Sequence, residues 1–301
     1  MRVSTNTLYD QGTRSMLQQQ SSLLKLQQQL SSGKRIMTPS DDPIGAARAH
    51  ELSQSLSLNT QYADNRNRAM DSLQQVESTL GNVTNVIQNI RTMAVAAGNP
   101  AFSDSERHMM AVELRGHFEE LLGLANTKDE QGNYLFSGFQ GNTQPFVEQS
   151  VGVVTYEGDQ GQRLIQVSGS RQLSVSETGE AVFGADGSNL FKTVEDFITA
   201  LEMPGGGATL NNAVNTALQD FDVALDNVLS KRAAIGSRMQ EVDALQQIGE
   251  DIAVQYQQTL SRLQDLDYAQ AISDMMRQQA SLEAAQKTFT SVSGLSLFNM
   301  I

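Results

Sequence analysis

The residues best placed to do chemistry lie in the segment Ser31-Ser32-Gly33-Lys34. A serine three residues before a lysine has the Ser-x-x-Lys spacing of serine acylases, but the accompanying Ser-Asp-Asn and Lys-Thr-Gly motifs are missing. A phosphate-binding loop is also excluded, because positions 28 and 35 are Gln and Arg. We favour a glycine that ends a helix, followed by basic residues. A hydrolase that uses Ser31 and Lys34 is the catalytic alternative.

The remaining polar motifs do not predict a catalytic, cofactor or metal site. His108 and His117 are nine residues apart, so one helix would place them on opposite faces, about 180° apart. The chain has no cysteine, which excludes disulfides and thiolate metal sites. The run of glycines at 205–207 lacks the spacing of a dinucleotide fingerprint and is interpreted as a hinge. We therefore expect no enzyme and no cofactor.

Charge and hydropathy exclude two further classes of protein. A formal net charge of −13 argues against a nucleic-acid partner, because phosphates require a basic surface. No run of about 18 apolar residues suggests membrane insertion. The opening MRVSTNTLYD also lacks the apolar region of a cleaved signal peptide, so we expect none. Taken alone, these features are typical of a cytoplasmic protein or of one exported without cleavage.

Most of the chain has the periodicity of long helices. Helices are predicted from about Asn6 to Ser31, from the Pro43 region to Gly98, from the Ser103/Glu106 capping box to about Lys128, over 189–201, and from 214 through a phase slip to 252. Asp41 and Asp42 precede Pro43 and are predicted to cap the second helix.

A β-rich stretch interrupts these helices. Residues 153–156 and 163–167 are rich in β-branched and aromatic side chains, and the segment 157–162 between them contains two glycines. We predict that the two strands form a hairpin around this segment, and that Arg171 to Val175 adds another strand. The predicted fold is mainly α with a small β insertion. We expect an elongated rod of long antiparallel coiled-coil-like helices, with the N- and C-terminal helices paired at one end.

The two ends of the chain carry apolar heptad stripes of their own. The stripes over 73–97 and 214–242 are expected to form intramolecular core, whereas little else in the chain could cover the terminal ones. We predict an assembly interface built from the terminal stripes: Met16, Leu23, Leu26, Leu30, Tyr268, Met275, Leu282, Phe289, Val292, Leu295, Leu297, Phe298 and Ile301.

The same ends carry a family resemblance. Leu30 to Ile36, followed by Ser40-Asp41-Asp42-Pro43, resembles the N-terminal signature of bacterial flagellins and their relatives. Tyr268 to Ser273, together with the ending Leu295 to Ile301, is similar to the C-terminal segment of the same family. The stretch Gly132 to Gly138 resembles the hook-filament junction branch of this family more than flagellin itself.

The resemblance implies a structural subunit of the bacterial flagellum that joins the hook region to the flagellin filament and polymerises through its terminal helices. It implies export without a cleaved signal peptide and an extracellular location. The implied partners are other copies of the chain, the first hook-associated protein on the hook side, flagellin on the filament side and a cytoplasmic export chaperone. Flagellin itself is the alternative identity.

The predicted organisation has five parts. They are an N-terminal assembly helix over 1–40, a first helical arm over 41–137, a β-rich outer insertion over 138–187, a returning helical arm over 188–267 and a C-terminal assembly helix over 268–301.

Overall fold

The computed structural model describes the backbone of residues 5–205 and 207–298 and, within these ranges, the side chains of residues 7, 9–205 and 207–291. Seven helices and four strands follow one another in these residues, and the prediction of a mainly α chain with a small β insertion is confirmed. They are α1 (Thr5–Ser32), α2 (Pro43–Ala97), α3 (Asp104–Ala125), β1 (Phe146–Ser150), β2 (Val153–Tyr156), β3 (Leu164–Ser168), β4 (Arg171–Ser174), α4 (Gly179–Phe183), α5 (Leu190–Glu202), α6 (Ala208–Gln264) and α7 (Tyr268–Phe298).

The chain divides into two compact units. The terminal unit contains the described residues up to Leu58 and from Asp251 onward, and the central unit is Asn59–Glu250. Helices α2 and α6 contribute residues to both units.

The core of the central unit is built on the apolar stripes of its long helices. In α6, the buried side chains of Val214, Phe221, Val228, Ile235 and Val242 recur every seven residues. The predicted stripe of α2 is buried along its whole length, as expected for intramolecular core. It consists of Leu73, Val76, Leu80, Val83, Ile87, Ile90, Ala94 and Ala97. The predicted phase slip does not end α6, which continues to Gln264.

One charged residue occupies a position in the α6 stripe. Arg232 lies between the apolar positions Val228 and Ile235, and its guanidinium is 2.7 Å from the carboxylate of Glu77 in α2. It also donates to the hydroxyl of Thr84 at 3.4 Å. These partners satisfy a cation that would otherwise be costly to hold beside a core.

The capping box at the start of α3 is confirmed. The hydroxyl of Ser103 accepts from the amide of Glu106, and the Glu106 carboxylate accepts from the amide of Ser103 at 2.7 Å. The amide and the hydroxyl of Ser103 both donate hydrogen bonds to the Glu106 carboxylate, and these bonds hold the pKa of Glu106 below its usual value.

The β insertion contains the predicted strands, but the predicted hairpin around 157–162 is wrong. Strand β2 pairs with β1, which was not predicted from the sequence, and β3 pairs with β4. The hairpin turns therefore lie at 151–152 and 169–170. Both two-residue turns contain a glycine, and Gly152 has φ +77°, which glycine adopts without the strain of a side chain.

Hydrogen bonds of Asp159 hold the segment 157–162 in place. The carboxylate of Asp159 accepts from the amide of Phe139 at 2.9 Å, and its carbonyl accepts from the hydroxyl of Tyr156 at 2.8 Å. The amide of Asp159 donates to the carbonyl of Ser137. The strands also share the helical core, because Phe146, Val154, Val167 and Leu173 belong to the same buried cluster as the α2 and α6 stripes.

We predict that the turn at 169–170 and the segment 157–162 tolerate inserted residues very differently. A short flexible tag between Gly169 and Ser170 lengthens a hairpin turn and should leave the melting temperature almost unchanged. The same tag between Asp159 and Gln160 breaks a partly buried hydrogen-bond network and should destabilise the protein by about 1–2 kcal/mol. Thermal unfolding of both variants measures the difference, and equal tolerance would contradict the anchoring role of Asp159.

Candidate assembly surface

Helices α1 and α7 pack against each other in the terminal unit. The rings of Tyr9 and Phe289 lie 4.6 Å apart, and a Cβ atom on Gly12 would come within 2.8 Å of the Phe289 ring. Glycine therefore allows the aromatic ring of α7 to approach the backbone of α1.

The predicted interface residues with described side chains are only partly covered in the terminal unit. Met16, Leu23, Leu26, Leu30, Met275, Leu282 and Phe289 are all half-buried. Tyr268 is 51% exposed. The side chains of Val292, Leu295, Leu297 and Phe298, and the whole of Ile301, lie outside the described residues.

A second set of apolar side chains on the same helices is exposed. Leu17 and Leu24 are 59% and 53% exposed in α1, and Ile272 and Met276 are 41% and 63% exposed in α7. We refer to these four residues as the exposed stripe. An exposed apolar set on paired helices is typical of an interaction surface.

The exposed stripe was not predicted from the sequence, although the sequence contains a signal for it. Leu17, Leu24 and Met276 each directly follow a predicted heptad position, namely Met16, Leu23 and Met275. Two adjacent apolar residues in successive heptads widen a stripe beyond what one partner helix covers. The widening indicates a second partner, and it can be identified from the sequence.

The two predicted caps of α2 have different contacts. The carboxylate of Asp42 accepts from the amide of Gly45 at 2.9 Å, which is the geometry of an N-cap. The carboxylate of Asp41 turns to the preceding loop, where it accepts from the amides of Met37 and Thr38 and pairs with Lys25 at 2.6 Å. Lys25 and these two amides hold the pKa of Asp41 well below its usual range.

Two of the residues considered for chemistry, Ser31 and His117, make contacts within their own helices. The hydroxyl of Ser31 donates to the carbonyl of Gln27 at 2.5 Å, within its own helix. His117 contacts Glu120 at 3.2 Å on α3. Within the described residues, no group of three or more His, Asp or Glu side chains could hold a metal ion. None of the helices described here combines the length and apolar character needed to cross a membrane.

Comparison with known proteins gives the class to which this arrangement belongs. Residues 3–141 match the family described as the bacterial flagellin N-terminal helical region. Over 318 aligned residues, the chain is 35% identical to Flagellar hook-associated protein 3 of Salmonella typhimurium and 36% identical to that of Escherichia coli K12. Both alignments cover 100% of this chain and 99% of the relative. The chain belongs to the flagellar hook-associated protein 3 family.

A solved structure shows the same fold. A flagellar hook-associated protein from Vibrio parahaemolyticus superimposes with a TM-score of 0.70 at 22% identity, over 75% of this chain and 100% of that one. Flagellin, the alternative identity, is a more distant relative. The flagellin of Listeria innocua is 23% identical over 299 residues, covering 99% of this chain and 96% of that protein. The hook-associated identity is therefore favoured over flagellin.

We predict that the exposed stripe serves assembly rather than monomer stability. Changing Leu17 and Leu24 together to Ser should alter the free energy of unfolding by less than about 0.5 kcal/mol per site, since both side chains are already exposed. Incorporation into flagella should fall strongly. A matched control is Val112→Ser in α3, where the side chain is 60% exposed in the central unit. Equal incorporation of the double variant and the control would contradict the assignment.

We also predict that Asp42 stabilises the start of α2. Asp42→Ala removes the hydrogen bond to Gly45 and should cost about 1 kcal/mol in urea unfolding. Asp42→Asn keeps a good capping group and should retain nearly all of this stability. If the Ala and Asn variants unfold at the same urea concentration, the capping role is wrong.

Proposed function

We propose that this chain is the structural subunit that joins the flagellar hook to the flagellin filament, and that it polymerises through its terminal helices. The observation that carries the proposal is the exposed stripe on α1 and α7, in a chain that aligns over its full length with hook-associated proteins. Its partners are other copies of the chain, the first hook-associated protein and flagellin. This role requires no catalysis.

Helices α1 and α7 leave part of their apolar surface uncovered. Ordering one residue costs roughly 1–2 kcal/mol in backbone entropy, and burial of apolar surface must offset this cost. Of the predicted interface residues whose side chains are described, seven are half-buried and Tyr268 is exposed, and Leu17, Leu24 and Met276 remain more than half exposed. Burial by neighbouring subunits would supply the missing stabilisation, so ordering of the helix pair is coupled to assembly.

Export follows from the same surface. A subunit that polymerises through exposed apolar helices needs protection before it reaches the growing structure. A cytoplasmic chaperone that covers the C-terminal helix would provide this protection, and export without signal cleavage would leave the N-terminal helix intact. We infer that the β insertion over 138–187 lies on the outer surface of the assembly, since the terminal helices would supply the assembly contacts.

A strain that lacks the protein tests the function. We expect hooks without filaments in electron micrographs, with flagellin lost to the medium. Normal filaments on intact hooks would contradict the junction role. Absence of flagellin from both cells and medium would favour the flagellin alternative.

Complementation of this strain tests the terminal helices. A chain without residues 269–301 should stay soluble with a folded central unit, because the core cluster lies within residues 69–242 and their partners up to 245. It should fail to restore filaments, because it lacks most of α7. Circular dichroism and a motility assay measure the two effects, and normal motility would contradict assembly through this helix.

A further inference from the structure

Backbone hydrogen bonds join the two connections that lead into the terminal helices. The amide of Leu266 donates to the carbonyl of Gly33 at 2.9 Å, and the amide of Arg35 donates to the carbonyl of Gln264 at 2.6 Å. Lys34 and Asp265 pair between them as an antiparallel bridge. We call residues 33–35 and 264–266 the latch.

Side chains of α1 and of the connection that follows it brace the latch. The guanidinium of Arg35 donates to the carbonyl of Leu263 at 2.9 Å, a contact that spans 228 residues of sequence. The side-chain amide of Gln29 donates to the carbonyl of Arg35 at 2.7 Å. Lys25 of α1 pairs with Asp41, which in turn accepts from two amides of the loop after the latch. The latch is therefore held by both backbone and side chains.

Glycine is required at one point of the latch. Gly33 has φ +68°, a conformation that strains residues with a Cβ atom. A Cβ atom there would also lie 2.8 Å from the hydroxyl of Tyr268, the first residue of α7. The start of α7 thus packs directly on the end of α1.

Full burial in the terminal unit is concentrated near the latch. Among the residues whose side chains are described, those that are fully buried in this unit are Ile36, Gly45, Ala49 and Ala271. Ile36 directly follows the latch on one side, and Ala271 lies in the first turn of α7 on the other. Farther along the helix pair, Tyr9 remains 53% exposed although it touches Phe289. Local stability should therefore decrease with distance from the latch.

We propose that the latch is the seed from which α1 and α7 order, and that it sets the register of the two helices before neighbouring subunits cover them. The proposal rests on the assembly role proposed above. Chain topology favours it, because the side-chain amide of Asn59 donates to the carbonyl of Gly249 at 2.7 Å in the central unit. In the sequence, residues 36–58 and 251–263 connect this unit to the latch. Once the unit has folded, closing the latch therefore costs little further chain entropy.

Hydrogen-deuterium exchange on the free, full-length protein tests the seed. We expect the amides of Arg35 and Leu266 to exchange at least about tenfold more slowly than those of residues 9–20 and 280–291. Uniform fast exchange over the whole terminal unit, or uniform protection of it, would overturn the proposal.

Two variants test which contacts hold the seed. Gly33→Ala should raise the exchange rate at Arg35 and Leu266 by about tenfold or more. Its control is Gly132→Ala, which imposes a similar backbone strain at φ +86° in the central unit with no atom within 4 Å of the added Cβ.

Lys25→Gln, a milder change that removes the pair with Asp41, should act in the same direction by a smaller factor. Its control is Lys192→Gln, which removes the exposed pair with Asp196. Unchanged exchange in both latch variants would overturn the proposal.

These outcomes are separable from failure of the assembly role, because exchange is measured on the free protein. A protected latch together with normal incorporation of the Leu17/Leu24 variant would contradict the assembly surface and leave the seed intact. An unprotected latch with defective incorporation would do the reverse.

Discussion

Two amphipathic helices that pack as a pair cover only one side of each other. In the central unit this limit is overcome, because α2 and α6 share their stripes with α3, α5 and the β insertion, and the whole set is buried. In the terminal unit α1 and α7 have mainly each other, so nearly all of their apolar residues with described side chains stay half-buried or exposed, and Ala271 is the exception. One sequence pattern thus gives a self-sufficient core in one unit and an incomplete one in the other.

The same constraint explains how polar residues are used. Where the core is complete, charged side chains near it have partners, as Arg232 has in Glu77 and as Glu177 has in Arg238 at 2.7 Å. Where the core is incomplete, backbone hydrogen bonds between Gly33, Arg35, Gln264 and Leu266 provide the ordering that apolar burial does not. Such directional contacts fix a register, which burial alone specifies poorly because it is non-directional.

A structural subunit suits this division of stability. The central unit carries a core of its own, and in the proposed assembly neighbouring subunits would cover the terminal helices. Membership of the hook-associated protein 3 family and the exposed stripe are independent observations, and both support a structural role in the flagellum. The fold similarity to a solved hook-associated protein concerns the architecture, whereas the exposed stripe is formed by the side chains of this chain.

Local patterns in the sequence determined the long helices, the ends of α1 and α2 beside Gly33 and Gly98, and the Ser103 cap, because heptad periodicity, glycines and capping residues act within a few residues of one another. They did not locate the ends of α6, which runs from Ala208 to Gln264. They also identified Asp42 as a residue beside the start of α2. Tertiary structure decided which strands pair, since β2 could form a hairpin on either side and Asp159 holds the intervening segment against Phe139 instead. It also decided that Asp41 turns to Lys25 and that Leu17 and Leu24 stay exposed beside half-buried Met16 and Leu23. These outcomes depend on contacts between segments far apart in sequence, and a local pattern contains no information about such contacts.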